Sequence, residues 1–241
     1  MTRRPSGCAT PGGRRGSLVV LAKQPAPGRV KTRLCPPLAL EEAAELYACM
    51  LDDVLEATAA AAERLGFEAV LAVDPPDACA AMARRAPRAF RAVAQRGGGL
   101  GARLAHAAAQ AAAAGALPVV LRGSDSPALP GEALVAAARA LDEVDLVACP
   151  DPDGGYSLVG LRRPAPGLFD HPMSHGGVLE QTLAAAAERG LRSRLLEPGF
   201  DVDTAADLAR LLARRGGPGA AGCRRTLAWL DHHRAGPGPQ A

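Results

Sequence analysis

The sequence contains neither isoleucine nor asparagine, and only two of its 28 basic residues are lysines. Aromatic residues number seven in 241, and the net charge is +3, so a basic stripe interleaved with stacking rings is missing and no nucleic-acid partner is expected. The six cysteines, at 8, 35, 49, 79, 149 and 223, form no CxxC pair, which argues against a disulfide framework or a thiolate zinc site. Long hydrophobic runs are also missing. The stretches 57–62 and 107–116 are alanine-rich and too short or too weakly apolar to span a bilayer. No apolar signal region follows the basic opening, so residues 1–16 are expected to be a disordered leader or a misassigned start, and the protein cytoplasmic.

Alanine is abundant, with 53 residues, and arginine replaces lysine almost throughout. Such a bias is genomic in character, so alanine-rich segments carry little functional information. Apolar residues at 48% against 22% charged support a packed core, and the length suits one domain with a small appendage.

Strand and helix patterns alternate along the chain. Ser17 to Ala22 is a compact apolar strand running into the proline-stiffened loop from Lys23. From 39 to 65 the period becomes helical, with Leu46, Tyr47, Met50, Leu51, Val54 and Leu55 on one stripe and Glu45, Asp52, Asp53 and Glu56 elsewhere around the helix. Strands are expected at 67–73, 90–94, 117–122, 144–149, 156–161 and 192–196, and helices at 77–85, from the glycine-rich segment at 95–103 to about 114, at 131–141 and at 177–188. Thr204 and Asp207 have the spacing of a capping box before another helix. Short βα connections favour an α/β fold with a mostly parallel central sheet flanked by helices. The domain is placed at 17–214, a C-terminal helical extension containing Leu227, Trp229 and Leu230 at 215–234, and a disordered tail at 235–241.

The two lysines, Lys23 and Lys31, both lie in the loop after the first strand, beside Gly28, Arg29 and Arg33. Compact ammonium charges at the carboxyl end of a buried strand suit phosphate binding, and a solvated basic loop is the alternative. The GxxxxGK[ST] spacing is absent, which argues against an ordinary P-loop. Asp125 ends a strongly apolar strand, and Asp203 sits in a late loop with Asp201 before it. Each alone suits a turn or cap, while as a pair they suit a clamp for Mg²⁺ or Mn²⁺. Asp153, Gly154, Gly155 and Tyr156 form a further turn at a strand entrance. His171 and His175 have an i, i+4 spacing, but Pro172 and the lack of an adjacent glutamate disfavour zinc, and no GxSxG elbow is present.

Five ordered segments, 21–34, 95–103, 123–129, 152–160 and 201–204, together resemble the DUF2064 family, whose members are described as arsenosugar-biosynthesis or radical-SAM/selenodomain-associated glycosyltransferases. The resemblance covers about 18–212 and implies a GT-A-like nucleotide-diphospho-sugar transferase fold, akin also to guanylyltransferases. It implies that Lys23, Gly28, Lys31, Arg33, Gly101 and Arg103 contact the nucleotide, and that Asp125 and Asp203 hold a divalent ion. It further implies that Asp125, Asp153 and Asp203 are catalytic, and that Gly154, Gly155, Tyr156 and Ser174 lie toward the acceptor. The segment 171–175 departs from the family's Trp-Ser-Thr pattern at Met173 to His175. The expected activity is metal-dependent glycosyl transfer from a nucleotide-sugar to a small-molecule acceptor. The alternatives are nucleotidyl transfer from an NTP to a phosphorylated acceptor, or nucleotide binding without catalysis. The oligomeric state is left open.

Overall fold

The computed structural model describes residues 16–173, 175–217 and 220–234. The expected leader, apart from Gly16, and the expected tail lie outside these residues. Seven strands form one sheet in the order β3-β2-β1-β4-β6-β5-β7. They are β1 (Ser17–Lys23), β2 (Glu68–Asp74), β3 (Phe90–Ala94), β4 (Val119–Gly123), β5 (Leu146–Pro150), β6 (Tyr156–Leu161) and β7 (Ser193–Leu195). Among the described residues seven α-helices accompany them: α1 (Leu40–Leu65), α2 (Cys79–Arg85), α3 (Leu100–Ala113), α4 (Gly131–Ala140), α5 (Val178–Glu188), α6 (Ala205–Ala213) and α7 (Arg224–Arg234). Among the described residues no helix is long and apolar enough to cross a membrane.

Successive side chains of a strand point to opposite faces, and β1 shows both being buried. Leu18 packs with Ala61, Ala62, Leu134 and Ala138, and Val20 packs with Leu51, Val54 and Met82, which places α1, α2 and α4 on one face. Val19 and Leu21 meet Leu104, Ala107, Ala111 and Ala186 from α3 and α5 on the other. The small alanine side chains bring these helices close to the sheet, a packing consequence of the biased composition.

β6 is the one strand that runs against its neighbours, pairing antiparallel with both β4 and β5. Only the short turn 151–155 separates it from β5, and a turn of that length cannot return a chain for parallel pairing. β1, by contrast, pairs in parallel with β2 on one side and β4 on the other. The chain leaves β1 toward β2 and returns across it to β4, so their carboxyl ends flank the point where the strand order reverses. Open α/β sheets bind ligands at such a point.

Helix ends are fixed by local chemistry. Gly66 adopts φ 66° and terminates α1 in the left-handed conformation that glycine tolerates. Thr204 caps α6 as expected: its Oγ1 accepts from the Asp207 N–H at 3.4 Å, and Asp207 Oδ2 accepts from the Thr204 N–H at 2.9 Å.

Asp53 departs from its expected place among the polar residues of α1. It is 2% exposed, and its Oδ2 accepts from the Thr226 N–H and hydroxyl at 2.8 Å each, while Oδ1 accepts from the Arg225 N–H at 3.1 Å. The carboxylate thus satisfies the exposed donors at the start of α7, where the helix dipole also favours an anion. Leu227 and Leu230 of that helix enter a shared apolar cluster with Leu46, Met50, Phe200 and Leu211. Asp53→Ala should therefore lower stability by about 3 kcal/mol through the stranded donors, measured by urea denaturation.

Candidate functional site

Lys31 defines the site. Its Nζ lies 2.5 Å from Asp125 Oδ1 and 2.8 Å from Asp203 Oδ1, so one ammonium bridges two carboxylates from distant parts of the chain. Three elements bring them together: the loop after β1 supplies Lys31, the loop after β4 supplies Asp125, and the loop before α6 supplies Asp203. The last is fastened by the Val202 N–H donating to the Asp125 carbonyl at 2.9 Å, and by the Asp203 N–H donating to Asp207 Oδ2 at 3.2 Å.

The Lys31 side chain is 3% exposed, whereas those of Asp125 and Asp203 are 39% and 38% exposed, so the carboxylates keep a face open while the ammonium is shut in. Burial opposes the charged form of Lys31, but attraction to Asp125 and then Asp203 overrides it and holds the pKa above the ordinary lysine value. Lys31 is also the one non-glycine residue at positive φ among those described, at 49°. A lysine in the left-handed region carries a cost of about 1 kcal/mol, which its two ion pairs offset.

The bridge lies at a cavity of about 460 Å³ lined by side chains from the ends of β1, β4 and β6. Tyr47 reaches it from α1. Its hydroxyl is 2.7 Å from Ser124 Oγ and accepts from the Lys23 N–H at 3.0 Å, so one buried phenol ties together the exits of β1 and β4. Burial raises that phenol to about 12. Arg122 lies beneath, fully buried, donating to the Ser126 carbonyl at 2.7 Å, and burial pulls its pKa down to about 10. Asp201, hydrogen-bonded by the Ser126 hydroxyl, is pushed up to about 7, first by burial and then by the charge of Asp125.

On the opposite wall, Gln95 Nε2 donates to the carbonyls of Ala22 and Ala72 at 3.0 and 2.9 Å, closing the ends of β1 and β2. Arg103 donates to Asp74 Oδ2 at 2.9 Å and to Gln95 Oε1 at 3.2 Å.

The family of uncharacterized proteins conserved in bacteria, DUF2064, matches residues 57–175. A crystal structure from Desulfovibrio desulfuricans G20, provisionally named a nucleotide-diphospho-sugar transferase, is similar over 90% of this chain and 97% of its own, with 30% identity and a TM-score of 0.75. The chain carries a DUF2064 domain and belongs to the nucleotide-diphospho-sugar transferase superfamily. Two further structures share the fold. Rv0371c from Mycobacterium tuberculosis H37Rv is 24% identical over 83% of this chain and 98% of its own, with a TM-score of 0.53. A 4-diphosphocytidyl-2C-methyl-D-erythritol synthase from Anaerococcus prevotii DSM 20548 is 11% identical over 82% and 96%, with a TM-score of 0.53. No curated protein matches the sequence.

Within this GT-A-like domain, Lys23, Lys31, Arg103, Asp125, Asp203 and Tyr156 all line the one cavity. Arg33 is at its outer edge, 3.6 Å from Asp203 Oδ2. Gly28, at φ 71°, borders an adjoining recess of about 250 Å³ together with Lys23 and Arg29. Asp153, Gly154 and Gly155 stand outside the cavity lining. Asp153 Oδ1 accepts from the Gly155 N–H at 2.9 Å, closing the turn, and a Cβ on Gly154 would fall 1.9 Å from the Gly176 carbonyl oxygen. Ser174 lies outside the described residues.

Gly101 also has a packing role: it is buried in the first turn of α3, where an added Cβ would fall 2.3 Å from the Phe169 carbonyl oxygen. Among the described residues no three carboxylate, imidazole or thiolate side chains converge as a metal cage. The two carboxylates of the expected clamp nevertheless reach one cation, since their Oδ1 atoms both touch Lys31 Nζ.

Tyr47, Arg122 and Asp201 were not among the expected site residues. Tyr47 satisfied the apolar stripe of α1, and Asp201 resembled a turn residue. A signal was present in Arg122, a charged residue within an otherwise apolar strand. Gly101→Ala should cost about 2 kcal/mol by forcing α3 off the 169 backbone, measured as a loss in thermal unfolding with nucleotide affinity otherwise retained.

Proposed function

We propose that this protein is a metal-dependent glycosyltransferase that moves a sugar from a nucleotide-sugar to a small-molecule acceptor. One observation carries the reading: Lys31, Asp125 and Asp203 meet at a single cavity, at the point of strand reversal, in a chain of the nucleotide-diphospho-sugar transferase superfamily. A non-catalytic nucleotide binder would have no need to gather two distant carboxylates there.

The two open-faced carboxylates fit a hard divalent ion such as Mg²⁺ or Mn²⁺, whose chemistry is neutralisation of diphosphate oxygens as charge develops on them. Lys31, Lys23, Arg29 and Arg33 supply positive charge to the same phosphates, with Lys31 the innermost of the four. Gln95 and the Arg103–Asp74 pair shape the wall facing the nucleoside. Tyr156 borders the acceptor side, and the turn at 153–155 that precedes it stands outside the cavity lining. In the reaction an acceptor hydroxyl oxygen bonds to the anomeric carbon, and that carbon's bond to the diphosphate oxygen breaks. The nucleoside diphosphate departs with the bonding pair, and the hydroxyl proton passes to a carboxylate or to water.

Nucleotidyl transfer is the second reading, favoured by the density of basic side chains between Lys23 and Arg33, which suits a triphosphate. Product analysis separates the two. Incubation with nucleotide-sugars and Mn²⁺ or Mg²⁺ should release nucleoside diphosphate, whereas nucleotidyl transfer would consume a triphosphate and release pyrophosphate. The starting donor is found by thermal shift, since a ligand of the native state raises its apparent stability.

Asp125→Ala should lower metal-dependent turnover by about 100-fold, the scale of one lost electrostatic contact in the transition state, while the fold is retained. Lys31→Ala should weaken nucleotide binding by about tenfold, as expected for a lost charge-assisted hydrogen bond. Retained turnover in the first variant, or unchanged affinity and rate in the second, would remove that residue from the assignment.

A further inference from the structure

The position between Asp125 and Asp203 that a divalent ion would share is also where the Lys31 ammonium makes its contacts. Nζ approaches one oxygen of each carboxylate, the two oxygens that face each other, and the side chain bearing it is almost fully enclosed. An ion placed between the same oxygens would sit against a like charge with little intervening solvent, and repulsion at such distances is strong in a partly dry site. Lys31 and a divalent ion therefore compete for one pair of ligands.

Lys31 also has another place to go. It belongs to the loop that carries Lys23, Arg29 and Arg33 around the same cavity, and a diphosphate seated there would offer the ammonium new anionic oxygens. Its backbone is held in the left-handed region, at φ 49° and ψ 33°, a conformation of higher energy for lysine that movement would release. Arg33, 3.6 Å from the far oxygen of Asp203, is exposed and leaves the shared side of the carboxylate to Lys31.

We propose that Lys31 is a resident substitute for the divalent cation, keeping Asp125 and Asp203 together until a diphosphate draws it away, so that the site admits cation and diphosphate as a pair. The inference rests on the reading of Asp125 and Asp203 as cation ligands. Its physical content is a coupling: free cation binds weakly against the ammonium, diphosphate removes the competitor, and by linkage each ligand strengthens the other equally. Removing the ammonium should remove that part of the coupling.

The test measures Mn²⁺ binding by electron paramagnetic resonance and calorimetry, without activity, in the wild type, Lys31→Met, Lys31→Gln and each of these with Asp125→Asn. Measurements are made with Mn²⁺ alone and with Mn²⁺ plus uridine or guanosine diphosphate. Methionine keeps the apolar length of the lysine stem, and glutamine provides a second neutral side chain should the methionine variant not fold.

The expected result is that Lys31→Met or Lys31→Gln binds Mn²⁺ alone about tenfold more tightly than the wild type, within the usual range of coupling between ligands. The nucleotide should then enhance Mn²⁺ affinity less than it does in the wild type, and Asp125→Asn should abolish the gain. If the neutral variants bind Mn²⁺ no more tightly while Asp125→Asn still weakens it, the substitute role is overturned and the cation site stands. If Asp125→Asn leaves Mn²⁺ binding unchanged in every background, the cation-ligand reading fails and this inference fails with it.

Discussion

A positive charge held between two negative ones organises the carboxyl-terminal edge of this sheet. Without Lys31, the loops after β4 and before α6 would bring Asp125 and Asp203 side by side with only solvent to separate their charges. With it, three loops that are distant in sequence converge on one nitrogen. The arrangement depends on the parallel pairing of β1 with β4, which sets Gly123 beside Leu21 and opens both strands on the same edge of the sheet. It depends equally on Val202, whose N–H ties the third loop to the second, and on Asp207, whose carboxylate holds the third loop to the start of α6.

Below that bridge lies a second layer of charge with different physics. Arg122 has exchanged water for the Ser126 carbonyl, and the half-buried Asp201 receives the Ser126 hydroxyl, so a single residue of the β4 loop contacts both ionisable groups. Burial works against charge on each: it lowers the Arg122 pKa and raises that of Asp201. The outer layer is thus a strongly charged trio whose carboxylates keep an open face while its ammonium is enclosed, and the inner one is a pair whose charge burial disfavours. The inner pair holds the backbone on which Asp125 is carried.

The sequence disclosed the strands well, because β1, β2 and β4 are buried on both faces and appear as short uninterrupted apolar runs. It disclosed Lys31 for a compositional reason: in a chain that uses arginine almost everywhere, a retained lysine stands out. Contacts set by distant segments were harder to read. The helical period put Asp53 on a polar side of α1, and only the arrival of Arg225 and Thr226 turned that side inward. Gly101 sat within a glycine-rich segment that read as the opening of a helix, and the carbonyl of Phe169 that packs beside it comes from far along the chain. Asp201 looked like part of a turn because the Ser126 hydroxyl that meets it lies 75 residues earlier in the chain. In each case local pattern identified the residue type, while a partner far along the chain decided its role.

The buried cap on α7 has a consequence for how the chain comes into being. Thr226 follows Asp53 by 173 residues, so during synthesis the acceptor is made long before its donors leave the ribosome. Until then the carboxylate retains its hydration, and the flank of α1 on which α7 will lie stays wet. Docking of the last helix expels that water and exchanges it for two backbone amides and a hydroxyl. Docking of α7 thereby completes the hydrogen bonding of α1, and Asp53 gains its buried partners only after α7 is free to fold.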